Sequence, residues 1–196
     1  MIIGLTGGIG SGKTLASDYL RDHHGFEILD NDVTAREVVA IGSPLLLQIA
    51  AHFGSEVLLA DGGLNRAWLR DTIFSNPTEK TWLESVTHPE IRNRTLERLG
   101  RVGQNEILIL VSPLLFESQQ DQLCDQTIAI TTPVDIQVAR VQQRDGNSSE
   151  QVARIMKNQL QDESRTQQAT HILYNDSTMA HLYQQLDTLV QQWKTA

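Results

Sequence analysis

A chain of 196 residues suffices for one well-buried core and little beyond it. Apolar residues at 40% against 20% charged exclude wholesale disorder, and a formal net charge of -8 gains nothing from counterion release, so nucleic acid is not expected as a partner. Cys124 is the single cysteine, which rules out an internal disulfide and fits a reducing compartment. The first apolar run, residues 2–5, is too short for a signal peptide, and no stretch approaches a membrane span. The expected location is therefore cytoplasmic, with no membrane partner.

Residues 2–5 have the length of a buried strand and break into a glycine-rich turn over residues 7–12. A helical pattern follows over residues 13–22 and stops at Gly25, and residues 26–29 form a second short strand closing on Asp30, Asn31 and Asp32. Strand, helix and strand in about 30 residues make a βαβ unit and imply a parallel sheet. From residue 34 to residue 102 the pattern is helical with little strand signal. Pro44 opens a helix ending before Gly54, residues 61–63 form a turn, Asn76 and Pro77 start another helix, and Pro89 starts a third. A helical block inserted into a βα sequence is a place to keep an acceptor site. Strand signal returns at residues 107–111 and 127–131. A helix then carries Arg140 and Arg144, Gly146 breaks it, and Ser148 caps a polar helix running to about residue 164. Residues 171–174 read as the last strand and residues 178–193 as a closing amphipathic helix.

Gly7-Gly8-Ile9-Gly10-Ser11-Gly12-Lys13-Thr14 matches the phosphate-binding pattern G-x-x-x-x-G-K-[ST] in full, between a predicted strand and a predicted helix. The chemistry accounts for each residue type. Glycines let consecutive N–H groups wrap an anion, and the helix start adds its positive end. Lys13 supplies a point charge for the outer phosphates, and Thr14 a hydroxyl for Mg²⁺. The strand ending at Val111 is followed by Ser112 and Pro113 rather than an acid, and the guanine-reading pattern N-K-x-D is absent. The acids follow the second strand instead, at Asp30 and Asp32. Either could order Mg²⁺ through water or accept the proton of an attacking hydroxyl, or both could be turn and cap carboxylates. Arg140 and Arg144, four apart, share a helix face suited to a polyphosphate. His88, at an expected helix start that also contains Arg92, reads as a local hydrogen-bonding residue.

Several separated blocks together make the chain resemble the dephospho-CoA kinase family end to end. They are the run from Ile3 to Thr14, Asp30-Asn31-Asp32 with Ala35-Arg36-Glu37-Val38-Val39, His88-Pro89-Glu90-Ile91-Arg92, Val111-Ser112-Pro113-Leu114-Leu115-Phe116-Glu117, Arg140 with Arg144-Asp145, and Gln159, Arg165 and Asn175. The resemblance implies an α/β, P-loop NTPase-type three-layer fold with a parallel sheet, a helical acceptor-binding insertion and a lid. The nucleotide core would span residues 1–33, 104–139 and 166–196, the acceptor region 34–103 and the lid 140–165. The implied reaction is phosphorylation of the ribose 3′-hydroxyl of dephospho-CoA by ATP, the last step of coenzyme A synthesis. It further implies that Gly8, Gly10, Ser11, Gly12, Lys13, Thr14 and Leu15 cradle ATP, with Mg²⁺ at Thr14 and Asn175 near the adenine. Asp32 would be the general base, Lys13, Arg140 and Arg144 would stabilise the moving phosphoryl group, and Arg36, His88, Arg92, Leu114, Phe116 and Glu117 would lie near the acceptor. The chain departs from the family pattern at Asn31, where a small residue is usual, and at residues 169–177, which lack an Ala-Asp pair and a glycine after Asn175. Another nucleoside- or nucleotide-type kinase, or a nucleotide-dependent regulatory switch, stays open as an alternative. The oligomeric expectation is a monomer or small homo-oligomer.

Overall fold

The computed structural model describes residues 1–195, which form two compact units, residues 1–29 with 102–195 and residues 30–101. No helix among the described residues is long and apolar enough to cross a membrane.

The first unit is built on a five-stranded sheet. Its strands are β1 (Ile2–Gly7), β2 (Glu27–Asp30), β3 (Leu108–Val111), β4 (Gln126–Thr131) and β5 (His171–Tyr174), in the order β2-β3-β1-β4-β5. β1 runs parallel to both β3 and β4, and β4 parallel to β5. Central position explains the continuous apolar runs: all four residues of β3 and residues 127–130 of β4 are buried. One core cluster joins Ile3, Leu5, Ile109, Val111, Ile128 and Ile130 of the sheet to α1 (Lys13–His24) through Ala16 and Leu20. The closing helix (Met179–Thr195) joins the same cluster through Leu182, Leu186, Val190 and Trp193. The sequence pattern placed both helices correctly, with α1 continuing two residues further, to His24.

The second unit is helical: α2 (Asn31–Glu37), α3 (Pro44–Phe53), α4 (Arg66–Ser75) and α5 (Pro77–Leu99). Val38, Val39, Leu45, Ile49, Val57 and Leu69 form its buried centre, with Trp82, Leu83, Val86 and Ile91 of α5 packed against it. α5 corrects an expectation, because Pro89 does not start a helix but lies inside one continuous 23-residue helix. An interior proline forfeits one hydrogen bond and costs about 3 kcal/mol. Apolar residues on both sides of Pro89 pack on the same cluster, so burial offsets that loss and keeps one rod.

After β4 come α6 (Val134–Asp145), α7 (Ser149–Lys157), α8 (Asp162–Gln168) and, after β5, α9 (Met179–Thr195). Ser148 caps α7 through a reciprocal capping box with Gln151. The single helix expected up to about residue 164 is instead two, α7 and α8. Residues 158–161 leave the helix because Gln159 and Leu160 bond to distant partners, described below.

Candidate active site

The glycine-rich turn is a closed backbone loop. Ser11 N–H donates to the Gly8 carbonyl at 3.2 Å, with Gly10 at φ +73° in the third position of that turn. A left-handed residue there makes it a type II turn, with Ile9 in the second position. Gly12 caps α1 at φ +100°, a region that disfavours any Cβ. Lys13 Nζ donates to the carbonyls of Gly7 at 2.8 Å and Gly8 at 3.0 Å, so the cation spans the mouth of the loop. α1 has no acid in its first turn and carries Arg21, His23 and His24 in its last. Its positive end therefore faces the loop uncompensated, as an anion requires.

Side chains from the ends of β4 and β5 and from α6 pin this loop to the sheet. Ser11 O accepts from Asn175 Nδ2 at 2.7 Å and Thr132 Oγ1 at 3.1 Å. Asn175 is buried, and Arg140 binds it twice, Nη1 to its carbonyl at 3.4 Å and Nη2 to Oδ1 at 3.3 Å. Gln137, also buried, donates Nε2 to Thr132 O at 2.6 Å and turns Oε1 toward Gly8. Arg165, 2% exposed, pairs with Asp162 at 2.8 Å and lies beside the same glycine. Gln159 Oε1 accepts the Ile9 N–H at 2.9 Å. Arg140, Lys13, the loop and Asn175 thus lie in one hydrogen-bonded network. Asn175 stands in it as a strut, its amide engaged by Ser11 and Arg140.

Arg144 lies one turn beyond Arg140 and is 63% exposed. Its Nε and Nη2 each reach Asp145 at 2.7 Å. That pairing raises the Arg144 guanidinium further above its ordinary value and holds the Asp145 carboxyl below its own. An exposed neighbouring pair of this kind exchanges easily for another anion. Leu15 is half-buried against the core, and Thr14 is exposed in the first turn of α1. No cluster of three or more His, Cys, Asp or Glu able to hold a metal occurs among the described residues. Magnesium in phosphoryl transfer needs only one or two protein oxygens beside phosphate and water, so the Thr14 hydroxyl fits that demand.

At the end of β2 the two aspartates separate in role. Asp30 is the N-cap of α2, its Oδ1 accepting from Asp32 N at 2.7 Å and Val33 N at 3.4 Å. Asp32 is exposed in the first turn of α2. The departure at Asn31 has a structural reason: the side chain is buried and accepts from Thr95 Oγ1 of α5 at 3.2 Å, tying the two helices together. Arg36 is exposed in the last turn of α2. His88 and Arg92 are both exposed on α5, four residues apart and hence on one face. His88 is therefore a mid-helix residue and not one at a helix start.

After β3, Leu114 is exposed and Phe116 buried, while Glu117 Oε1 accepts the Leu160 N–H at 2.7 Å. Glu117 is thereby fastened to the segment that follows α7. Sequence reasoning counted Gln159 and Arg165 among the blocks of the family resemblance without giving either a role in the site, and it did not select Gln137. Glutamine carries no spacing signal, and their partners at the loop lie more than 100 residues away.

The sequence profile of the dephospho-CoA kinase family matches residues 1–181. The chain is 46% identical over 188 residues to a dephospho-CoA kinase of Acinetobacter baylyi, covering 96% of this chain and 95% of that one. It is 43% identical over 178 residues to one of Pseudoalteromonas translucida, covering 91% and 84%. Among solved structures it resembles a Thermus thermophilus protein, with a TM-score of 0.83, 31% identity and coverage of 98% and 97%. It also resembles the dephospho-CoA kinase of Campylobacter jejuni, with a TM-score of 0.75, 26% identity and coverage of 99% and 97%. A shikimate kinase of Acinetobacter baumannii shares the fold alone, at a TM-score of 0.55 and 19% identity over 100% of this chain and 95% of that one.

Proposed function

The chain belongs to the dephospho-CoA kinase family, and from that premise we propose how its own residues divide the work of moving the γ-phosphoryl group of ATP to dephospho-CoA, the closing step of coenzyme A synthesis. ATP lies along residues 8–15, its phosphates on the loop amides and the start of α1. Thr14 would hold magnesium, which when bound neutralises charge on the β- and γ-oxygens. Lys13, placed at the loop by the Gly7 and Gly8 carbonyls, supplies positive charge to the outer phosphates. Arg140 is already oriented by Asn175. Arg144 exchanges Asp145 for the phosphoryl oxygens.

The ribose 3′-hydroxyl oxygen attacks the γ-phosphorus. An O–P bond forms there as the bond from the γ-phosphorus to the β,γ-bridging oxygen breaks, and ADP carries away that bond's electron pair. Asp32 accepts the hydroxyl proton as the new bond develops. The observation that supports this choice of base is position: Asp32 is exposed in the first turn of α2, directly after β2, while Asp30 serves as the N-cap of that helix. Arg36, His88 and Arg92 supply cationic and hydrogen-bonding contacts to the acceptor. Exposed Leu114 offers it an apolar contact, and Phe116 and Glu117 follow in the same segment after β3. Most of the rate then comes from positioning and fixed charge.

Asp32→Asn tests the base. It keeps the shape and the helix turn, so kcat should fall about 10²–10⁴-fold while ATP affinity stays within about twofold. Turnover close to that of the unsubstituted enzyme would remove Asp32 from the role. Offering labelled ATP with dephospho-CoA, shikimate and nucleosides tests the acceptor, and label should pass to dephospho-CoA.

A further inference from the structure

The stretch between α7 and α8 is tied to the phosphate loop by a bond that the reaction scheme above does not use. Gln159 is half-buried and its side-chain carbonyl takes the Ile9 N–H at 2.9 Å, across 150 residues of sequence. Ile9 is the second residue of the turn closed by Ser11 and Gly8. That position gives its N–H no acceptor within the turn itself. The following residues are anchored as firmly. Leu160 N–H donates to Glu117, Arg165 Nη2 donates to Leu160 O, Arg165 Nη1 pairs with Asp162, and Asp162 accepts from Thr131 Oγ1 at the end of β4. Arg165 is buried beside Gly8, so this one segment meets the loop at two successive residues.

We propose that Gln159 is a positioning residue for ATP. Its carbonyl fixes the apex of the loop through the Ile9 amide, which aims the following amides at the phosphates and joins the loop to the chain leaving α7. This rests on the reading that the loop binds ATP. The loop handles the nucleotide alone, so losing the tether should weaken ATP and ADP alike and leave acceptor binding untouched. A side chain that served only general stability would not separate the two substrates.

Two substitutions cut the same bond from opposite ends. Gln159→Leu keeps the bulk and removes the acceptor. Ile9→Pro removes the donor, and proline suits the second position of a type II turn. Each should weaken ADP binding, read by calorimetry, and raise the KM for ATP about fivefold, with the KM for dephospho-CoA unchanged. The double variant should bind ADP no more weakly than either single one, because the second change has nothing left to remove. Additive losses, an equal rise in the KM for dephospho-CoA, or unaltered ADP affinity in either single variant would overturn the proposal. Should Gln159→Leu fail to fold, Gln159→Met removes the acceptor with a more adaptable side chain and reads the contact in its place. Absence of ADP binding by the unsubstituted chain would instead sink the reading of the loop.

Discussion

Gly12→Ala is the sharpest single probe of the nucleotide loop, because its cost can be worked from two local features. Gly12 sits at φ +100°, where an L-residue is disfavoured by about 1–2 kcal/mol. A Cβ there would overlap Nδ2 of Asn175. That amide is buried and donates to Ser11 O at 2.7 Å, so moving it strands a buried donor at about 1–3 kcal/mol. The sum is about 2–5 kcal/mol, and at this chain length it lowers Tm by about 4–20 °C. Arg140 binds Asn175 as well, so the displacement reaches a second group proposed to meet ATP. ADP affinity should fall at least about thirtyfold by calorimetry. Gly25→Ala is the matched control. Gly25 caps the other end of the same helix at φ +71°, with nothing within 4 Å of the new Cβ. It should cost only the conformational part, about 1–2 kcal/mol, and leave ADP affinity unchanged. If Gly12→Ala is no worse than Gly25→Ala in both measurements, Asn175 does not brace the loop.

Two further predictions concern groups away from the phosphates. Burial, followed by Asp121 and Asp125, pushes the Cys124 thiol up to about 12. The folded chain at pH 8 should resist a thiol-specific reagent that labels the urea-unfolded chain within minutes, and labelling at the rate of a free thiol would refute this. Burial lowers His171 below its ordinary value, and its Nε2 lies 2.8 Å from Gln126 Oε1. The neutral ring therefore favours the folded chain, so its contribution is complete above the unfolded value of about 6.5 and is lost as pH falls through the lower folded value. NMR titration should place the His171 midpoint below 6.5, and a midpoint at or above it would contradict the assignment.

What could be read in the sequence was whatever local chemistry dictates. The β1-loop-α1 run announces itself through glycines that a phosphate loop needs, and His171–Tyr174 was delimited to the residue by its flanking polar positions. Pro89 misled because proline is a strong local signal, while the apolar face on both sides of it responds to a core assembled from other helices. α2 is seven residues long with Val33 and Ala35 as its apolar residues, too few for a hydrophobic period to mark it. Its start is set by Asp30, whose cap role and acid role look identical in sequence. The break after α7 likewise has no punctuating glycine or proline, since it is made by bonds to Ile9 and Glu117. The catalytic candidates were legible as residue types. Which of them are committed to holding others was not, because Asn175, Gln137 and Gln159 owe their roles to partners far along the chain.

The place of β1 in the sheet sets a schedule for the newborn polypeptide. Ile2 pairs with Leu108, and Thr6 with Ala129, so the first of the five strands has both its neighbours made more than 100 residues later. At about 5–20 residues per second, that strand waits about 5–20 s for β3. Asp30–Arg101 emerges in the interval with a buried cluster of its own and can pack while the strand is idle. The anion grip following β1 thus takes shape only after residues 108–131 have been made and the flanking strands arrive to hold its base.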